Sequence, residues 1–163
     1  MPSHDYLAKL GELAYLVSNL EWEIVGDIRI AVAEIDAIGL LGMTTGSIGR
    51  ALEEAALNLE IRPNVHHFVS TSARAPFDVA ERRNAVLHAR PATTPAGDQQ
   101  LLRLRKGADG EPERFWIDET HLDKQIAAVN YWNNRVAAAR LHPLDRPVQR
   151  TPRLIQLLRH RSG

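Results

Sequence analysis

The sequence contains no cysteine. That absence excludes a disulfide framework, a thiolate zinc site and a cysteine nucleophile. Lysine is scarce too: Lys9, Lys106 and Lys124 stand against seventeen arginines. Arginine offers a fixed fork of donors suited to carboxylate or phosphate. A GC-rich genome alone gives the same bias. Net charge is also missing, with 20 basic and 20 acidic residues. A polyanion binder acting through bulk field alone is therefore disfavoured, and a local basic site stays open. No apolar run reaches the roughly 18–20 residues of a membrane span. The opening stretch MPSHDYLAKLGELAYL has early acids and no small-residue cleavage site. No signal peptide and no membrane attachment are expected, and the default location is the cytoplasm.

What is there is 163 residues, 44% of them apolar. That is one ordinary domain with room for a core. From Ser3 to Ile38, Leu7, Leu10, Leu13, Ala14, Val17, Leu20, Ile24, Ile28, Ala31 and Ile35 recur at three- and four-residue steps. The spacing predicts a helix of about 35 residues, roughly 50 Å long. Ser3 is its expected N-cap. A stripe that long suggests a helical hairpin that dimerises, or a bend near Gly26.

IGLLGMTT, residues 38–45, reads as a turn. A second helix is expected from Thr45 to Leu59, capped by Thr44 or Thr45 and stopped by Pro63. The stretch 64–76 reads equally well as a short helix or a loop. A third helix is expected from Pro76 to Ala89. PATTPAGD, residues 91–98, reads as a loop. Leu102 and Leu104 then alternate with Arg103 and Arg105, and Phe115 to Ile117 answers them, a β-hairpin over about 100–117. A last helix should run from Asp118, its cap, to Leu141. The reading is an all-α bundle of about four helices with a small hairpin insertion before the last. Residues 1–142 form the domain. Residues 143–163 form a basic, proline-containing tail, in which Arg146, Arg150, Arg153, Arg159 and Arg161 face a single acid, Asp145.

Common catalytic signatures are absent: no P-loop, GxGxxG, HExxH or GxSxG. His66 and His67 are adjacent and point apart, which is poor metal geometry. Asp118, Glu119, His121 and Asp123 read as an acidic first helical turn. Trp22, beside Glu21 and Glu23, lies off the leucine stripe and suggests dimer packing. No metal and no cofactor are expected.

Arg82-Arg83-Asn84-Ala85-Val86-Leu87-His88 is different. Asn84 and His88 are four apart and share one helix face. Arg83 is about 100° around, with a side chain long enough to sweep toward them. A guanidinium, an amide and an imidazole around one point are the parts needed to cleave RNA without metal. A base takes the 2′-OH proton, the oxygen attacks phosphorus, and the cation steadies the developing charge.

Arg83-Asn84-x-x-x-His88 resembles the Arg-x4–6-His motif of HEPN domains. Other pairs here share the spacing, among them Arg62/His67 and Arg114/His121. Only Arg83 is followed by Asn with His at the end of the same expected helix. The helical layout is similar as well. The resemblance implies a homodimer whose motif helices meet at a shared cleft. It implies a metal-independent ribonuclease, a toxin or defence effector with RNA as substrate and an antitoxin as partner. It assigns catalysis to Arg83, Asn84 and His88, with Arg82 and Arg90 as further RNA contacts. Some members have lost catalysis, so a non-catalytic dimer module that binds a protein partner or nucleotide stays open. The plainer alternative is structural, with His88 and Arg90 complementing the helix C-terminus.

Overall fold

A computed structural model describes residues 1–32, 35–58, 63–107 and 109–140. The basic tail 143–163, and the expected helix ends at Leu59 and Leu141, lie outside the described residues. Helix α1 spans His4–Ala31, α2 Ala37–Leu40, α3 Thr45–Asn58, α4 Pro63–Leu87 and α5 Glu119–Ala139. Strands β1 (Arg90–Thr93), β2 (Gln99–Lys106) and β3 (Pro112–Ile117) separate α4 from α5. The protein is mostly helical with one small antiparallel sheet, ordered β1-β2-β3. No helix among the described residues is long and apolar enough to cross a membrane.

Ser3 caps α1 as expected, its hydroxyl accepting from the Tyr6 N–H at 3.1 Å. The helix ends at Ala31, earlier than the apolar spacing predicts. Val32 turns to extended backbone, and the Asp36 carboxylate accepts from the Gly39 N–H to cap α2. A local aspartate cap thus competes with continuation of the long helix. Leu20, Ile24 and Ile28 of α1 are fully buried with Leu52, Phe68, Val79, Ile117, Leu122 and Val129.

The largest difference from the sequence reading is α4. It is continuous for 25 residues and passes through Pro76. Pro76 forfeits the bond to the Ser72 carbonyl. The helix persists because Val65, Phe68, Val69, Ala73, Pro76 and Val79 form one buried stripe across that point. Tertiary packing overrides local propensity here. Helix α3 lies against α4. The approach is close: a Cβ on Gly49 would sit 2.8 Å from the Ala73 carbonyl oxygen.

The second difference is β1, in residues read as a loop. Gly97 takes φ +95°, and the Thr94 N–H donates to the Asp98 carbonyl at 2.8 Å. That tight turn folds Arg90–Thr93 back onto Leu102–Gln99. Pro91 is tolerated because β1 is an edge strand. The sheet is tied to α1 by Tyr6. Its hydroxyl donates to the Ile117 carbonyl at 2.8 Å and accepts from the Leu101 N–H at 2.9 Å. Burial raises the phenol pKa. Asp118 caps α5, its carboxylate accepting from the His121 N–H at 2.7 Å. Arg140, just past α5, pairs with Glu23 and Asp27 of α1.

Candidate functional site

The motif occupies the end of α4, where the helix leaves the core and the sheet begins. His88 directly follows Leu87, the last helical residue, and its N–H still donates to the Asn84 carbonyl at 3.1 Å. Asn84 and His88 therefore keep the four-residue relation and share a face, and both are exposed. Arg83 is half-buried. It lines a groove of about 560 Å³ between α1, the end of α4 and the sheet. Leu10, Leu13, Val17, Val86 and Leu87 supply apolar lining, and Glu21 is the acid there. Among the described residues, the side chains of Arg83, Asn84 and His88 have no hydrogen-bond or ion-pair partner. Three polar groups at one helix end are thus left available for a ligand.

Arg90 opens β1, two residues beyond His88, and is exposed. Arg82 is not brought into this group. Its Nε and Nη2 donate to the Asp78 carboxylate at 2.8 and 3.1 Å, and its Nη1 donates to Gln125 Oε1 at 3.1 Å. The structure therefore ties Arg82 to α5, apart from the groove that Arg83 lines. One residue is about 100° of rotation on a helix, enough to send Arg82 toward α5 while Arg83 faces α1.

The Arg82 network extends further. Trp132 Nε1–H donates to Asp78 Oδ2 at 2.8 Å. The Arg82 hydrogen bond, assisted by the Trp132 one, holds the Asp78 carboxyl below its usual range against the opposing effect of burial. Gln125 Oε1 is engaged by Arg82, so its amide donates to His121 Nε2 at 3.0 Å. That bond makes His121 Nε2 an acceptor and puts the ring proton on Nδ1. Burial pushes the His121 pKa down, Lys124 and Arg82 push the same way, and Asp118 opposes them. These effects together favour the neutral imidazole.

These groups line a second cavity of about 290 Å³, with Arg103 and Arg105 of β2, Phe115 of β3, and Glu81 and Ala85 of α4. The sequence reading did not single it out. A signal was present: residues of one parity on β2 share a face, so Arg103 and Arg105 share one with Leu101. Their register partners are Phe115, Glu113 and Ile117.

His66 and His67 are exposed, and His66 Nδ1 lies 3.4 Å from Ser70 Oγ. Among the described residues no three His, Asp or Glu side chains group as a metal site would need. The acids at the start of α5 act structurally: Asp118 is the cap, and Lys9 bridges Glu119 and Asp123 at 3.5 and 2.7 Å. Comparison of the chain with protein-family models, with curated proteins and with solved structures gave no match.

Proposed function

We propose that this chain is a metal-independent endoribonuclease of the HEPN type, working as a homodimer in the cytoplasm. The observation that carries the reading is the state of Arg83, Asn84 and His88. They share one helix end and lie outside every ion pair among the described residues; Asn84 and His88 are exposed and Arg83 is half-buried. His88 takes the 2′-OH proton as general base. The 2′-oxygen then bonds to phosphorus, and the P–O5′ bond breaks. The departing 5′-oxygen takes a proton from the second motif of the dimer, leaving a 2′,3′-cyclic phosphate. Arg83 holds the phosphoryl oxygens as charge develops, and Asn84 orients the phosphate or His88. Arg90 adds a backbone contact. The role that fits is a toxin or defence effector, restrained by a protein antitoxin.

Support for the dimer comes from α1. Gly11, Tyr15, Ser18, Trp22 and Gly26 follow one another at three- and four-residue steps and are all exposed. Tyr15 is 71% and Trp22 67% exposed, large apolar surface with no cover. Ser18 also lines the groove that holds Arg83, so a second copy on this stripe would lie beside the motif.

A second reading, a non-catalytic module that binds a protein partner, is favoured by the apolar lining of the same groove. An amphipathic helix laid in it would meet Leu10, Leu13 and Val17. Cleavage of a mixed RNA pool in EDTA by the wild type and by His88→Ala separates the two. His88-dependent cleavage with 2′,3′-cyclic phosphate ends is the expected result. Equal cleavage by both proteins removes His88 from the mechanism. No cleavage by either, from an intact dimer, leaves the binding module.

A further inference from the structure

The cavity between α4, the β2–β3 face and α5 lies apart from the motif. Its walls come from three directions: Arg82 from α4, Arg103 and Arg105 from β2, and His121 and Gln125 from α5. Two of its arginines are committed to carboxylates, Arg82 to Asp78 and Arg105 to Glu113 at 2.8 Å. Arg103 is not. It is half-buried and has no ion-pair or hydrogen-bond partner among the described residues. A half-buried guanidinium with unused donors is costly unless something accepts from it. Arg82 and Arg105 each keep spare N–H groups, since only three of Arg82's donors and two of Arg105's are used. The His121 Nδ1–H also lacks a partner among the described residues. Glu81 is the one acid in the wall, and it is exposed, where water screens it.

Donors converging from a helix, a strand and a second helix suit an anion with oxygens in several directions. A carboxylate is planar and satisfied by a single fork; a phosphate is tetrahedral and uses several donors at once. Phe115 does not offer a bare stacking platform. The Arg105 guanidinium lies 4.8 Å from its ring centroid, and His121 stands edge-on at 4.9 Å. The room is larger than phosphate alone requires, and Glu81 can accept from a hydroxyl at the rim.

We propose that this cavity binds a phosphate dianion, free or carried by a small hydroxylated monoester, with Arg103 as its principal ligand. This site is independent of the ribonuclease reading. Arg103 donates to two phosphate oxygens, Arg82 and Arg105 lend their spare donors, and His121 Nδ1–H donates to a third oxygen. The charged groups facing that ring are Asp118 and Lys124 on its own helix, Arg82 and Glu81 from α4, and Arg103 and Arg105 across the cavity.

The test is a titration of the full chain with inorganic phosphate and, separately, with ribose 5-phosphate, following the His121 imidazole resonances. Saturable shifts are expected, and Arg103→Ala should weaken binding by about tenfold or more. Arg103→Gln keeps much of the side-chain volume and should weaken it as well. Arg83→Ala should bind like the wild type. Tighter binding of ribose 5-phosphate assigns the site to a monoester, and equal binding assigns it to free phosphate. The proposal is overturned by titrations that leave His121 unmoved, by unchanged affinity in both Arg103 variants, or by an equal loss in Arg83→Ala, which would place the anion at the motif.

Discussion

Arg82 and Arg83 are neighbours in sequence and serve different surfaces. Arg82 is locked to Asp78 and Gln125, and Arg83 stands in the wall of an apolar groove beside α1. Helix α4 therefore sends consecutive residues to two different surroundings. Arg82 joins α4 to α5, and the motif is left free of that bracing.

The bracing has a measurable worth. Asp78→Ala removes the acceptor for two Arg82 donors and for the Trp132 indole. A stability loss of about 1–3 kcal/mol is expected. The low end is favoured because both charged side chains are about one third exposed, where solvent weakens the pair. Urea unfolding measures it. Arg83→Ala, by contrast, should unfold at the wild-type midpoint, since no partner loses a bond.

Tyr6 offers a cleaner test of how the sheet is held. Tyr6→Phe keeps the ring and removes one oxygen. The Leu101 N–H and the Ile117 carbonyl then lose their partner. The expected cost is roughly 1–3 kcal/mol, with faster hydrogen exchange at the Leu101 amide. An unchanged midpoint would mean that water replaces the hydroxyl at no cost.

Much of this architecture was legible. Ser3 and Asp118 are caps, and the α1 and α5 stripes carry residues that are buried, because those signals are local. Pro76 was misleading. Local chemistry says a proline starts or breaks a helix, yet the buried stripe from Val65 to Val79 carries α4 through it. Strand β1 was missed because its pairing depends on the turn at Gly97 and on a partner strand. At the site, the Asn84–His88 relation was legible from helix periodicity alone. The fate of Arg82 was not, since Gln125 reaches it, and Trp132 reaches its partner Asp78, from α5, dozens of residues away.

Gly49 marks a close crossing of α3 on α4. An added Cβ would press on the Ala73 carbonyl oxygen at 2.8 Å, and backbone cannot swing aside as a side chain can. Gly49→Ala should cost about 1–3 kcal/mol by overpacking. Gly46→Ala, where a Cβ meets the Ala80 methyl at an ordinary 3.7 Å, should be neutral or stabilising in the same assay.

The pH profile of stability follows from His121 and Asp78. The folded His121 titrates below its ordinary 6.5, so the unfolded chain takes up the proton first as pH falls. Stability contributed by the neutral ring is whole above 6.5 and declines between 6.5 and the lower folded value. Asp78 acts in a separate window. Its folded pKa is below 3.8, so its contribution is present above 3.8 and lost as pH falls through the folded value. Urea midpoints across pH should show both steps. His121→Gln should flatten the upper one and leave the lower.

Trp22 decides whether the assembly and the chemistry are linked. It is exposed on the α1 stripe, and Glu21 beside it reaches the groove that holds Arg83. A carboxylate in place of the indole would put uncompensated charge into a closely packed helix pair. Trp22→Glu should therefore give a folded monomer by light scattering, with circular dichroism like that of the wild type. If the motif acts only when two copies meet, the monomer will have lost RNA cleavage while Arg83, Asn84 and His88 are intact. A monomer that cleaves at the wild-type rate would show that one motif suffices and remove the shared cleft from the mechanism. A Trp22→Glu protein that is still dimeric would move the interface off this face of α1.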